Sequence, residues 1–161
     1  MSGTPPVLTD GVAVLRPLAE ADIDDITRAC QDPEIIAWTT VPHPYLREHA
    51  ETFVRERTDD WWATPSWAIC RHDGTWSGSI DLRPDELRMR AEVGYYIAPW
   101  ARGQGLVTRA LRLACAWAFT GMQLEAVQWR AVAGNEASRA AAVRVGFRVH
   151  DEPMRRSGMH R

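Results

Sequence analysis

Residues 95–108 read Tyr-Tyr-Ile-Ala-Pro-Trp-Ala-Arg-Gly-Gln-Gly-Leu-Val-Thr, and they force a strand, a tight turn and a helix into immediate succession. The apolar, aromatic run before Pro99 suits a strand. Gly103 and Gly105 supply turn conformations that other residues resist. From Leu106 onward the apolar positions Leu106, Ala110, Leu113, Ala114 and Trp117 recur at helical spacing, and Gly121 ends the run. A helix that starts directly after a glycine turn presents first amides without intrahelical partners, together with the positive end of its dipole. Both attract phosphate oxygens. Arg102 adds charge and Thr108 a hydroxyl. The dinucleotide pattern G-x-G-x-x-G needs a glycine where Thr108 stands, and the P-loop needs Gly-Lys followed by Ser or Thr, so neither applies. On spacing alone the turn is equally well a bare strand-to-helix connection.

Around this unit the chain alternates short strands and helices. Residues 12–16 form a strand candidate stopped by Pro17, 22–31 a helix with Ile23, Ile26 and Ala29 or Cys30 on one face, and 47–57 a second helix. The stretch between those helices, from Trp38 to Leu46, carries Pro42 and Pro44 and reads as a loop. Strands follow at 66–70 and 76–82, joined by the His72-Asp73-Gly74-Thr75 turn, and a longer one at 88–97. In that longer strand Tyr95 and Ile97 share a face opposite Tyr96, and Gly94 marks a bulge or a close backbone approach. A strand at 124–132, a helix at 136–145 capped by Asn135 and ended by Gly146, and a short strand at 147–150 complete the order. This order indicates a mixed α/β chain with β-α-β crossovers at 91–132 and 124–150. Residues 12–150 form one domain, 1–11 a flexible arm rich in Pro, Gly and Thr, and 151–161 a short polar tail.

Composition narrows the function classes. The length of 161 residues suits one domain, and a formal net charge of −2 gives no bias toward nucleic acid or an anionic membrane. No run approaches the roughly 18 apolar residues of a membrane span, and the N-terminus lacks a secretory pattern, so a cytoplasmic protein is expected. Cys30, Cys70 and Cys115 sit in apolar surroundings, spaced for neither metal nor disulfide, and read as small core residues. The histidines His43, His49 and His72 have no metal-ligand spacing, and no metal is expected.

Arg102-Gly103-Gln104-Gly105-Leu106-Val107 resembles the Arg/Gln-x-x-Gly-x-Gly/Ala motif of the GNAT N-acetyltransferase superfamily, with Val107 in place of the last small residue. Ala91-Glu92-Val93-Gly94-Tyr95-Tyr96-Ile97 looks like the central strand of its RimJ/RimL-like branch. Asn135-Glu136-Ala137-Ser138, then Ala142 and Gly146-Phe147, looks like that branch's downstream signature. Leu15-Arg16-Pro17-Leu18 and the Pro42-His43-Pro44-Tyr45 loop are also typical of it. The resemblance spans roughly residues 12–150. It implies an α/β, three-layer fold on a mixed, mostly antiparallel sheet that splays at the donor site. It implies acetyl-CoA as acyl donor, its pyrophosphate on Arg102, Gly103, Gln104, Gly105, Leu106, Val107 and Thr108. The pantetheine arm then lies between the strands at 92–97 and 125–132, along Tyr95, Tyr96 and Ile97, with Asn135 bonded to the arm and Arg139 near the nucleotide. Family members end on a further strand after Gly-Phe. With only 15 residues left from Phe147, that C-terminal strand is expected to be missing here, and an open sheet edge is expected to pair in a homodimer.

The chemistry implied is direct attack of an amine on the thioester, through a tetrahedral intermediate and without a covalent enzyme intermediate. Glu92 is the first candidate for the base, as in members that use a strand glutamate. Ser138 matches a serine proposed to serve the thiol, and Tyr96 or Tyr95 is an alternative proton donor. Trp38, Tyr45 and Trp67 are the candidate acceptor contacts, and the acceptor is a protein N-terminus or a small amine. Two other readings stay open at this level: a non-catalytic acyl-CoA-binding or regulatory protein, and a structural or interaction module.

Overall fold

The computed structural model describes residues 3–131, 134–148 and 157–160, the last four as backbone only. Seven strands form one sheet in sequence order: β1 (Leu8–Thr9), β2 (Ala13–Pro17), β3 (Ser66–Arg71), β4 (Trp76–Pro84), β5 (Arg90–Ile97), β6 (Ala126–Trp129) and β7 (Ser157–His160). Every neighbouring pair is antiparallel except β5 and β6, which run parallel. The parallel pair needs a crossover, and the long helix α4 (Leu106–Thr120) supplies it.

Strand alternation sorts the core into two layers. Leu15, Trp67, Ile69, Ile80, Leu82, Val93 and Val127 point to one face and meet Leu106, Ala110, Leu111, Ala114 and Ala118 of α4, with Ala141 and Ala142 of α5 (Glu136–Val145). Ala68, Cys70 and Trp76 point the other way. They meet α1 (Ile23–Ala29), α2 (Pro33–Trp38) and α3 (Arg47–Asp59) through Ile23, Ile26, Cys30, Ile35, Ala50 and Val54. The result is a three-layer α/β fold around a mostly antiparallel, curled sheet. The three cysteines are buried, as expected of core residues. Burial pushes the Cys115 thiol up to about 12, and that of Cys30 to about 11 against weaker pulls from Tyr96 and Tyr45. Both are therefore poor nucleophiles at neutral pH.

Three expectations are corrected. The last strand is present: β7 pairs antiparallel with β6, Ala126 opposite His160 and Trp129 opposite Ser157. Its four residues, Ser-Gly-Met-His, carry little β signal, because backbone pairing on β6 rather than propensity places them. The open edge that motivated a homodimer is thereby covered, and the second expected crossover becomes an antiparallel return. The reading of 147–150 as a strand is met by a single bridge residue at Arg148, and 149–150 lie outside the described residues. The arm at 1–11 is docked over its described part. Leu8 and Thr9 pair with Leu15 and Val14, and the indoles of Trp62 and Trp67 donate to the carbonyls of Gly3 and Pro6 at 3.1 and 3.0 Å. The buried Trp67 indole needs an acceptor and finds it in the arm, and the part-exposed Trp62 indole finds another there. Finally, α2 occupies the stretch left unassigned between the first expected helix and the expected loop, and reaches into that loop at Trp38 alone. Asp32 accepts from the amides of Glu34 and Ile35, and Pro33 opens the helix.

Trp67 is fully buried and stands edge-on to Trp61 and Trp117, with ring centroids 5.2 and 5.3 Å away. Trp67→Ala is expected to cost about 3–5 kcal/mol, chiefly from the cavity. It should also free the arm, so that denaturant melts shift and limited proteolysis cuts within residues 3–10 of protein that is still folded.

Candidate active site

The site originates in a fork. β5 pairs with β6 only from Arg90–Ala126 to Val93–Trp129, where β6 ends. β5 continues for four residues, Gly94 to Ile97, still paired on its other side with β4. Opposite β4, no described strand lies against them. A cleft of about 740 Å³, open to solvent, fills the gap. It passes through the sheet: Ile35, Trp38 and Thr39 line it from the α2 side, and Val107, Asn135 and Ser138 from the α4 and α5 side.

A polar cluster holds the fork open. Asn135 caps α5 by accepting from the Ser138 amide at 3.3 Å. The Ser138 hydroxyl lies 2.7 Å from the Tyr95 hydroxyl of β5, and the Trp129 indole of β6 donates to both oxygens at 3.0 Å. Three elements are thus joined across the gap through side chains where backbone pairing has stopped. Burial raises the Tyr95 phenol above its ordinary value, against weaker pulls from Ser138 and Trp129. At neutral pH it remains an O–H donor.

The glycine turn stands at the far end of β5. Gly103 and Gly105 have φ of 75° and 72°, a left-handed conformation that explains why both are glycine. Nothing lies within 4 Å of where a Cβ would stand on either, so there is room over the turn for a ligand. Gly105 precedes the 15-residue α4 without a side-chain cap, so the amides that follow remain available to an anion. Leu106 and Thr108 are buried and Val107 faces the cleft. The turn therefore offers its backbone more than its side chains.

Arg102 is engaged in a different way than its motif position suggests. Its guanidinium pairs with Asp32 at 2.5 Å and with Glu34 at 3.5 Å. Arg102 holds the Asp32 carboxyl below the usual carboxylate range. The N-cap of α2 is thereby tied to the donor turn, while Ile35, Trp38 and Thr39 further along form the opposite wall. Neither Asp32 nor α2 was found from sequence, although Asp-Pro at a helix start is a readable signal.

The remaining sequence candidates separate. Tyr95, Ile97, Asn135, Ser138, Val107, Arg102 and Trp38 gather at the cleft. Tyr96 contributes to its lining, but its ring packs on the α1–α3 face against Trp76, and burial raises its phenol well above the ordinary value. Tyr45 is buried beside His49. Trp67, at 0% exposure in the core, is removed from the acceptor contacts. Gln104 is exposed on the turn, and Arg139 is half-buried on α5 outside the cleft lining. Glu92 is ion-paired with Arg130 at 3.3 Å, level with the paired part of β5 and β6. Asp81 of β4 went unnoticed in the sequence, since an aspartate inside a strand carries no motif; it is buried opposite Gly94. Gly94 causes no bulge. A Cβ there would lie 3.0 Å from Asp81 Oδ1, so the glycine reflects close approach.

A parallel pair that forks over an uncapped glycine turn, with hydroxyls at the fork, defines a site for an extended donor with a phosphate end. The acetyltransferase (GNAT) domain model matches residues 13–148. The chain belongs to the GNAT acetyltransferase family. Over 77 residues it is 40% identical to YdaF of Bacillus subtilis (strain 168), whose name assigns it provisionally to ribosomal N-acetylation. That stretch covers 47% of this chain and 42% of YdaF, so the match spans less than half of the relative's length. The fold is also that of Mycobacterium smegmatis RimJ, solved with CoA-disulfide: TM-score 0.82, 20% identity, 97% of this chain and 88% of that one. It is likewise that of Vibrio cholerae spermidine N-acetyltransferase, solved with CoA and spermine: TM-score 0.80, 18% identity, 94% and 96%. No helix among the described residues is long and apolar enough to cross a membrane.

Asp32→Ala removes both the α2 cap and the Arg102 ion pair. It is expected to lower stability by about 1–2 kcal/mol and to raise the KM for acceptor more than that for donor. Thermal melts and two-substrate kinetics check this.

Proposed function

We propose that the protein is an N-acetyltransferase that moves an acetyl group from acetyl-CoA to a primary amine. The observation that carries this reading is the fork itself. Gly94 to Ile97 form an internal sheet edge, half-buried, with no described strand on the β6 side. Buried backbone groups without partners cost about 1–3 kcal/mol each. An amide-bearing pantetheine arm can supply those partners, lying where a strand would lie. The uncapped start of α4 then receives the pyrophosphate, and Asn135 adds a polar contact to the arm. On this reading the acyl end lies toward the vertex of the fork, between Val93 and Trp129.

There the residues divide the work. Backbone groups of Tyr95, Tyr96 and Ile97 orient the donor. The Tyr95–Ser138 hydroxyl pair, which accepts from the Trp129 indole, donates a proton to the departing sulfur and recovers one from the acceptor nitrogen. Cys30 and Cys115 take no part, since both thiols are buried and held protonated. The acceptor enters from the α2 side past Trp38, which is 36% exposed. Among the described residues, the charged groups lining the cleft are one acid, Glu34, and two arginines, Arg102 and Arg130. This balance suits a peptide or protein N-terminus better than a polyamine, which would need several acids.

A free-thiol release assay over N-terminal peptides, amino acids and polyamines tests the reading. Turnover is expected with peptides above that with spermidine. Absence of turnover with retained acetyl-CoA binding in calorimetry would instead indicate a non-catalytic binder. Ser138→Ala is expected to lower kcat about 10–100-fold while the KM for acetyl-CoA changes far less, as befits a group acting in the transition state.

A further inference from the structure

Two carboxylates, Asp81 and Glu92, stand on the sheet face that the α1–α3 layer covers. Glu92 lies opposite Gln128, within the paired part of the fork, and is ion-paired with Arg130. Asp81 lies opposite Gly94, level with the first residue beyond the vertex. Asp81 is 5% exposed. Its Oδ2 accepts from Arg57 of α3 at 2.9 Å. Its Oδ1 is buried without a hydrogen bond; Arg83 Nε at 3.2 Å is an ion-pair contact without hydrogen-bond geometry. A buried carboxylate oxygen held by an ion-pair contact alone keeps acceptor capacity that the fold does not use. Between this oxygen and the cleft stands Gly94, which lines the cleft and has no side chain to close the way. A Cβ on Gly94 would sit 3.0 Å from Oδ1 and 3.1 Å from Arg83 Nη2.

We infer that Asp81 Oδ1 is the base that removes the proton from the acceptor amine, reached past Gly94 from the α2 side of the cleft. The inference rests on the acetyltransferase reading above. The step balances as follows. The ammonium of the acceptor gives one proton to Asp81, directly or through one water. The nitrogen lone pair then forms the C–N bond to the thioester carbonyl carbon, and the C–S bond breaks with its electron pair on sulfur. The sulfur takes a proton from the Tyr95–Ser138 pair, and the second nitrogen proton restores that pair. Asp81 releases its proton to solvent, so the products are the amide, the free thiol and one proton.

Burial lifts the Asp81 carboxyl above its ordinary value, with Arg83 and Arg57 pulling it back down. The charged and titratable groups around it are those two arginines, the Tyr96 phenol on the neighbouring strand and, one register step along, Glu92 opposite Arg83. A carboxyl whose folded value is raised destabilises the fold once ionised. Stability present below the unfolded value is lost as pH rises through the folded one.

The test is Asp81→Asn in the full chain, with Gly94→Ala beside it. Asp81→Asn is expected to lower kcat about 100-fold or more near neutral pH and to remove the acid limb of the kcat/KM profile. Calorimetric affinity for acetyl-CoA should be retained. In melts of the protein alone it should flatten the decline in Tm with rising pH. Asp81→Glu should recover part of the rate. Gly94→Ala keeps the carboxylate but closes its route, so kcat should fall with acetyl-CoA affinity retained, even if Asp81→Asn folds poorly. Wild-type turnover with an unchanged profile in Asp81→Asn would overturn the inference alone. So would a fall in Tm and rate with the profile's shape preserved, which marks a structural ion pair. A wild-type protein that binds acetyl-CoA without turnover would overturn both this inference and the catalytic reading.

Discussion

The parting of β5 from β6 after Val93 and Trp129 is the constraint on which the rest of the structure depends. A parallel pair normally continues until its strands end, because each lost ladder bond leaves a donor or acceptor to satisfy. Here β6 stops and β5 goes on for four residues, fixed by β4 on one side alone. The gap is bridged by side chains: Tyr95, Ser138 and Trp129 share hydrogen bonds of 2.7–3.0 Å, and the Asn135 cap sets where Ser138 stands. The fork is therefore held by side chains where no described strand fills it.

The glycine turn and the fork act at two ends of one strand. β5 delivers Tyr95 and Ile97 to the cleft and then, through the Pro99–Ala101 turn, leads into the uncapped start of α4. Arg102 extends this line to the other layer. Its pairing with Asp32 joins the turn to α2, whose Trp38 lines the cleft. The glycine turn and the α2 wall of the cleft therefore share one short ion-paired link. The tryptophans play a separate part. Trp61 and Trp67 pack edge to face against each other and against Trp117 of α4, and Trp62 and Trp67 pin the arm. Of the tryptophans, Trp38 and Trp129 line the cleft.

Local signals in the sequence were readable where local physics decides. Asn135 and Gly146 bound α5 at 136–145, and the Leu/Ala period of α4 with its glycine start is unmistakable. The alternation that sets Tyr95 and Ile97 against Tyr96 also holds. What was not legible depends on distant partners. β7 and β1 are short strands placed by pairing with β6 and β2, and their own residues announce little. Trp67 looked like a contact residue because indoles favour binding sites, whereas the neighbouring Trp61 and Trp117 rings and the arm bury it. The Asp32–Arg102 pair joins residues 70 apart in sequence, and Asp81 matters only because Gly94 lies across from it. Such juxtapositions come from register, which no motif records.

The most direct measurement of the central claim is amide hydrogen exchange with and without acetyl-CoA. If the fork receives the donor as a strand-like ligand and α4 receives its phosphates, amides within residues 94–97 and 106–108 gain protection together on binding. Binding shown by calorimetry without protection in either segment, or with protection confined to another surface, would contradict the account.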